Sequence, residues 1–278
     1  MLLQAARQCG FKGLVSPSGA GALTLIQEYR PTLLTLDIHL PDMHGFRILD
    51  RIKADLGTRH IPVCVVSTDD SRDRALQAGA VGFLAKPLQS MDEVSAVLRD
   101  LYHMGESGAR KLVVAMDPGA PREDYLNAIG TSELQIVVVD SEDDLREQIA
   151  SGDANLLVLQ EGWQDLDGTL VHEWADAFSG WRPLPVLLFR PPGPRHAGAP
   201  RLPSTQGLSL RSADSIEGLI DASAFLLHRS LASMTQDERA AVEALNAASG
   251  VLAGKKVLIV DDDVRNIFAL ATVLESQG

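Results

Sequence analysis

Short apolar runs alternate with stretches of helical period along the first hundred residues of the chain. Amphipathic Leu2 to Gln8 is followed by apolar Gly13-Leu14-Val15, helical Ala20 to Tyr29, apolar Thr32 to Leu36 and helical Phe46 to Asp55. Apolar Pro62 to Val66, helical Arg72 to Gln77, apolar Val81 to Leu84 and helical Met91 to His103 complete the series. Continuously apolar runs of four or five residues suit strands buried on both faces. Their strict alternation with helices predicts an α/β fold: a doubly wound parallel sheet with helices on both sides.

A second series begins at Lys111 and repeats the first. Leu112 to Met116, Ile136 to Val139, Leu156 to Leu159 and Pro185 to Phe189 are its apolar runs. Repetition at this scale indicates duplication of a whole domain. Superposing the two series puts Gln160 where Asp37 stands, and Gly168 follows Gln160 at the spacing that separates Gly45 from Asp37. The Pro- and Gly-rich stretch Arg190 to Ser204 predicts a long loop, and Ser230 to Ser249 a connector helix. A third beginning follows, with apolar Val257 to Val260, the acids Asp261-Asp262-Asp263 and a helix from Asn266 to Ser276. The expected divisions are 1–105, a unit lacking its first strand; 110–229, a second unit; 230–253, a helical linker; and 254–278, the first strand and helix of a third. The first and last units are thus expected to be truncated.

Composition narrows the function classes. The 278 residues carry a formal charge of -12, which argues against a nucleic-acid surface, since binding phosphates takes clustered Lys and Arg. The two cysteines, Cys9 and Cys64, cannot build a disulfide framework or a zinc site. Cys64 lies in an apolar run, where a free thiol behaves as a small hydrophobe. No run of about 18 apolar residues offers a membrane span, and Met1 to Gly10 lacks the form of a signal peptide. A cytoplasmic protein without membrane contact is expected.

Candidate chemistry collects at strand ends. Asp37 closes the run Leu33 to Leu36 and precedes a turn through Pro41 and Gly45, and parallel sheets present their ligands at the carboxyl ends of strands. A carboxylate can hold a phosphoryl group as an acyl phosphate and later release it to water. Such transfer depends on positioning and charge neutralisation, and so asks for a divalent cation and a fixed positive side chain. Ser67, with Thr68 beside it, ends the next run and supplies a hydroxyl. Lys86, followed by Pro87, ends the run after that and supplies the positive charge.

Asp37 with Pro41 and Gly45, Ser67 after its strand, and Phe83 with Lys86-Pro87 together resemble receiver domains of two-component response regulators. The resemblance implies Asp37 as phosphoacceptor, Ser67 (or Thr68) as the hydroxyl that follows the phosphoryl group, and Lys86 as its counter-charge. It also implies a flavodoxin-like sheet, Phe83 as an aromatic that reorients, Mg2+ as cofactor with Asp37 and the backbone carbonyl of His39 among its ligands, and a histidine kinase or phosphotransfer domain as partner. Receivers complete the metal site with an acidic pair after their first strand, which the first unit does not contain. Asp261 and Asp262 form such a pair in the third unit, and that unit continues as receivers of hybrid histidine kinases do. The pair serves either its own unit or, by docking of its strand, the first.

The middle unit keeps the pattern without the chemistry. Gln160 replaces the phosphoacceptor, Arg190 the hydroxyl residue, Asp117 alone stands near the acidic pair, and Arg211 is the nearest candidate for the lysine. An amide cannot form an acyl phosphate, so this unit is expected to be a pseudo-receiver that packs or binds partners, including the other receiver units. None of the seven histidines is paired at metal-ligand spacing. His228 lacks the neighbours of a phosphodonor and is expected to be structural, and Arg195, His196 and Arg201 to lie on a solvated loop.

Two functions fit. One is a phosphorelay receiver module, part of a hybrid histidine kinase, that catalyses its own phosphotransfer and dephosphorylation. The other is a non-phosphorylated adaptor that only docks signalling partners. An aspartate-nucleophile phosphatase would want a second acid where His39 stands, and no glycine-rich ATP loop or catalytic-histidine motif marks a kinase core.

Overall fold

Two parallel sheets take up the alternating pattern in the computed structural model of the protein, which describes residues 1–105, 110–129, 133–163, 181–190 and 209–248. In the first, β1 (Leu34–Asp37), β2 (Val63–Ser67) and β3 (Gly82–Ala85) lie in the order β1-β2-β3. In the second, β4 (Arg110–Ala115), β5 (Leu134–Val138), β6 (Ala154–Gln160), β7 (Pro185–Phe189) and β8 (Ser209–Ala213) lie in the order β5-β4-β6-β7-β8. Every pairing is parallel. The second order places the unit's own first strand between its second and third, which is the flavodoxin-like arrangement. The helices are α1 (Leu2–Gln8), α2 (Gly19–Tyr29), α3 (Gly45–Ala54), α4 (Arg72–Gln77), α5 (Met91–Gly105), α6 (Ala120–Ile129), α7 (Glu142–Ala150), α8 (Ile216–Leu226) and α9 (Gln236–Ala248).

Alternation along each strand divides its side chains between two cores. Leu36, Val63, Val65 and Phe83 pack with Ile26 of α2 and with Phe46, Leu49 and Ile52 of α3. Cys64, Val66 and Leu84 face the other way, onto Ala5 of α1 and Val94, Leu98 and Leu101 of α5. In the second sheet Leu112, Val114, Leu156, Val158 and Phe189 pack with α6, α8 and α9, while Val113, Leu157, Leu159 and Val186 pack with Leu145 and Ile149 of α7 and with Trp163. Burial pushes the Cys64 thiol up to about 12, which keeps it protonated and inert at neutral pH.

Two expectations about strands change. No strand forms over residues 13–16, and Leu14 and Val15 are 49% and 67% exposed. Among the described residues β1 pairs only with β2, so the segment has no strand beside it to continue the ladder. Conversely, β8 has no apolar run to announce it: its sequence is Ser-Leu-Arg-Ser-Ala, and a half-buried edge strand tolerates that composition. Gly168, the loop residues Arg195, His196 and Arg201, and the acids Asp261 and Asp262 lie outside the described residues.

Helix starts follow local chemistry. Ser18, Ser141 and Ser215 each accept a hydrogen bond from the amide three residues on, capping α2, α7 and α8. The helix expected as a connector, α9, packs on α8 with Val242 fully buried. At its start Glu238 accepts two hydrogen bonds from the Arg229 guanidinium, at 2.6 and 3.1 Å, and both side chains are buried.

The two sheets meet through a mixed interface. Arg59 pairs with Asp221 at 2.7 Å, and Asn246 donates to the same carboxylate oxygen at 2.9 Å. Phe225 of α8 lies against Gly79, whose φ of +95° and lack of a Cβ let the ring approach; a Cβ there would fall 2.7 Å from the ring. The Arg211 guanidinium and the Lys53 ammonium lie over the same ring, at 3.8 and 5.6 Å from its centre. Trp181 packs on Gly82 and accepts the amide of Phe83 through its carbonyl at 3.1 Å.

Lys53 is sealed at this interface, donating to the carbonyls of Arg59 and Ile61 at 3.0 and 2.7 Å. Burial, with the charges of Arg211 and Arg59 added, lowers its ammonium to about 7. Because the unfolded chain holds that proton up to a pKa near 10.5, it binds more protons than the fold between those values, and stability rises with pH there. Relative to Lys53→Met, the wild-type chain should therefore gain stability from pH 7 to 9.5, by at most about 1.4 kcal/mol per pH unit. Urea midpoints of the two proteins that stay parallel across that range would refute the buried ammonium.

Candidate functional site

Parallel pairing brings the ends of β1, β2 and β3 to one edge, with Asp37 opposite Val66 and Ser67 opposite Ala85. Asp37 is the last residue of β1. One carboxylate oxygen, Oδ1, accepts the amide of His39 at 3.1 Å, and the other, Oδ2, accepts the Lys86 ammonium. Both side chains are one-third exposed, so the pair is open to a reactant. Lys86 is placed by its backbone: its amide donates to the carbonyl of Ser67 at 2.8 Å, locking the residue after β3 to the end of β2. The proline after it is joined by a cis peptide.

Partial burial pushes the Asp37 carboxyl up, but the Lys86 hydrogen bond, the His39 amide and the nearby positive charge outweigh it. The net effect holds the carboxyl below its ordinary value, so Asp37 is an anion at neutral pH.

Ser67 is fully buried at the end of β2, and its hydroxyl accepts the amide of Asp69 at 3.2 Å. Thr68 is exposed. Phe83 is on β3, buried in the core that also holds Phe46. The structure thus brings Asp37, Lys86 and Ser67 to one edge, leaves Thr68 exposed, and keeps Phe83 in the core. The backbone of His39 adjoins Asp37, while its ring bonds Asp69 at 2.7 Å.

Two residues at this edge have structural work that spacing alone does not reveal. Asp42 accepts the amides of Gly19 and Ala20 at 2.7 and 2.9 Å, tying the loop after β1 to the start of α2. The amides of Ala20 and Gly19 hold its carboxyl below the usual range. An acid beside Pro41 in a turn is the only sequence signal, and it names no partner. Gly45 passes so close to the strand end that a Cβ would fall 2.3 Å from the Asp37 carbonyl and 2.8 Å from the Ile38 Cα. Its amide donates to the Ile38 carbonyl at 2.7 Å.

In the second sheet the equivalent edge is rebuilt. Gln160 pairs with Phe189 as Asp37 pairs with Val66, so the register puts Gln160 at the position of Asp37 and Arg190 at that of Ser67. The Gln160 carboxamide donates to Asp117 at 2.6 Å and accepts the Asp117 amide at 3.2 Å. Arg190 reaches Glu161 at 3.5 Å. Arg211 is not the counterpart of Lys86. The same register carries that position to Ser215, the cap of α8, while Arg211 lies mid-strand with its guanidinium on Phe225.

Residues 2–99 match the family described as response regulator receiver domain. The polar-differentiation response regulator DivK of Brucella anthropi is 33% identical over 82 residues, which cover 28% of this chain and 67% of DivK. The chain belongs to the response regulator receiver family. A protein-glutamate methylesterase/protein-glutamine glutaminase of Burkholderia thailandensis is 35% identical to it over 115 residues, or 38% of this chain and 31% of that protein. Response regulator PleD of Caulobacter vibrioides is 28% identical over 205 residues, or 64% of this chain and 45% of PleD. The receiver chain thus spans less than half the length of those two relatives. A crystallised receiver domain from Rhodospirillum rubrum is 26% identical, covering 37% of this chain and 80% of its own with a TM-score of 0.28.

Mg2+ takes hard oxygen donors, commonly one or two carboxylates with waters. At the receiver edge the Asp37 carboxylate and the His39 carbonyl are donors of that kind, and they fit the ion in chemistry. Among the described residues no three His, Cys, Asp or Glu side chains cluster as a metal cage. Nor, among them, is any helix long and apolar enough to cross a membrane.

The close approach at Gly45 makes a specific demand. Gly45→Ala should cost about 1–3 kcal/mol, as overpacking against rigid backbone does. Urea unfolding would report it as a lower midpoint at unchanged slope; a midpoint matching wild type would show that the Asp37–Ile38 backbone yields freely.

Proposed function

We propose that the chain is a phosphorelay receiver module that accepts a phosphoryl group from a phosphohistidine onto Asp37. The observation that carries the reading is the Asp37–Lys86 pair at adjoining strand ends, one-third exposed, with the buried Ser67 hydroxyl on the strand between. In the transfer, a carboxylate oxygen of Asp37 attacks phosphorus, the N–P bond of the donor breaks, and the imidazole leaves with a proton from solvent. Lys86 moves from the carboxylate to the phosphoryl oxygens, so its charge is never left without a counterpart. Ser67 turns its hydroxyl from the Asp69 amide toward the same oxygens. Added charge of about -1.5 to -2 is enough to bias such a rearrangement, and Phe83, on the strand that ends at Lys86, is the aromatic we expect to respond.

Mg2+ would be held by Asp37, the His39 carbonyl and an acidic pair of the kind carried by Asp261 and Asp262, and would neutralise charge on the phosphoryl group. The pair belongs to a third unit or is donated to the first. We further propose a tandem architecture, receiver then pseudo-receiver, within a cytoplasmic hybrid histidine kinase. The strand order β5-β4-β6-β7-β8 of the second sheet supports the tandem, since it is the doubly wound order of such a unit. The partners would be a histidine kinase or phosphotransfer domain and the other receiver units.

For the second sheet alone, a docking role without phosphorylation is favoured by a specific observation: Gln160 is held by Asp117 through two hydrogen bonds and offers no carboxylate.

Acetyl phosphate with Mg2+ should phosphorylate the full chain once, at Asp37, as read by intact mass. Asp37→Asn should abolish the product, and Lys86→Ala should slow its formation by about 100-fold, the scale of losing a preorganised charge on a transferring group. An unlabelled wild-type chain that also fails to bind beryllofluoride would leave the adaptor reading for the whole molecule. Comparison with a chain ending at residue 254 separates the two placements of Asp261 and Asp262: weakened labelling of Asp37 assigns them to the first unit, and unchanged labelling to the third.

A further inference from the structure

The seam between the two domains gathers bases around Lys53. Arg59 and His60 come to it from the loop after α3, Arg211 from β8 and His228 from the turn after α8. The carboxylate that faces Arg59 and Arg211 is Asp221 of α8, and one of its oxygens already accepts Arg59 at 2.7 Å and Asn246 at 2.9 Å. Farther along the seam Arg110 and Arg182 have Glu133 and Asp100 opposite them. Lys53 has two carbonyls and a ring for partners instead: it donates to Arg59 and Ile61 at 3.0 and 2.7 Å and lies 5.6 Å from the centre of the Phe225 ring.

These partners divide between the domains in a telling way. Both acceptor carbonyls belong to the first domain and stay with Lys53 if the domains part. The Phe225 ring and the Arg211 charge belong to the second and leave with it. Parting the domains therefore returns water to the amine, removes a like charge and keeps its hydrogen bonds. A neutral amine has two N–H donors, one for each carbonyl, so the docked geometry satisfies the uncharged form in full. An ammonium carries a third donor and a charge that no bonded carboxylate offsets here, and a buried charge without such a partner is costly.

We propose that this seam is a proton-operated latch: neutral Lys53 keeps the two domains docked, and its protonation drives them apart. Docked, Lys53 titrates at about 7, because of burial first and the charges of Arg211 and Arg59 next; in water it returns to its ordinary 10.5. Between those values the undocked chain holds more protons, so docking strengthens as pH rises, by up to about tenfold per pH unit, and levels off below 7. His60 and His228 extend the response downward. Burial, with the neighbouring positive charges, holds both below their ordinary 6.5, and the Nδ1 of each is sealed without a hydrogen-bond partner among the described residues. Below pH 6.5 the undocked chain thus takes up protons that the docked one refuses, and docking weakens further. The closed seam also holds the edge of β3, where the Phe83 amide donates to the Trp181 carbonyl at 3.1 Å, and undocking breaks that bond.

Amide hydrogen exchange in the full chain reads the latch at Phe83, with the amide of Val65, fully buried in the central strand β2, as the reference for unfolding. Phe83 should be less protected than Val65, since the seam opens without unfolding the sheet. From pH 8.5 to 7.0 its protection, corrected for the intrinsic exchange rate, should fall at least tenfold, and in Lys53→Met it should stay level. A measurement on the wild-type chain needs no variant: the Lys53 side-chain carbon next to the amine should titrate near 7 by NMR. Equal protection at Phe83 and Val65, no fall with pH, the same fall in a folded Lys53→Met, or a Lys53 that titrates near 10.5 would each overturn the proposal.

Discussion

Parallel pairing is the constraint from which the rest of the molecule follows. When every strand runs the same way, all carboxyl ends gather at one edge of a sheet and all amino ends at the other. Residues distant in sequence, such as Asp37, Ser67 and Lys86, then become neighbours without a dedicated contact to recruit them. The same constraint sends Arg110, Asn155 and Ser209 to the far edge, where a second set of polar groups converges. The crossover helices follow from it as well, because parallel strands cannot be joined by tight turns.

The two domains meet the constraint differently. In the second sheet β4 lies between β5 and β6, so the strand that opens the unit is paired on both sides. In the first, β1 is an edge among the described residues, and the apolar Leu14 and Val15 remain exposed beside it. The chemistry divides the opposite way. The three-stranded sheet carries the carboxylate and the ammonium, whereas the five-stranded one has the Gln160–Asp117 pair at its equivalent edge. A carboxamide held at both ends contributes to packing and offers no nucleophile, so the two sheets differ in the chemistry of their edges.

The interface links the reactive edge to the second domain. Phe83 lies in the short strand that Lys86 follows, and the amide of Phe83 donates to the Trp181 carbonyl while Gly82 packs on the Trp181 ring. Lys53, Arg59 and Gly79 carry the contact across to Asp221 and Phe225. Charged groups are accepted in this seam because each has a carbonyl, a carboxylate or an aromatic face to meet it, as buried polar groups require.

Much of this was legible in the residues alone. Runs such as Val63 to Val66 and Leu156 to Leu159 are apolar because both faces are buried, and that alone determined the α/β class and the strands that carry such runs. The spacing of Asp37, Ser67 and Lys86 from those runs determined which side chains stand at strand ends. What only the tertiary structure decided is what those ends meet. Register moved the lysine position of the second unit from Arg211 to Ser215, because a strand with no apolar run gives its ladder no mark in sequence. The capping work of Asp42, the close passage of Gly45 and the convergence of Arg110, Arg182 and His228 depend on approaches between segments far apart in the chain. Periodicity reports which face of an element is buried and carries no information about its partner, and so these contacts belong to the fold.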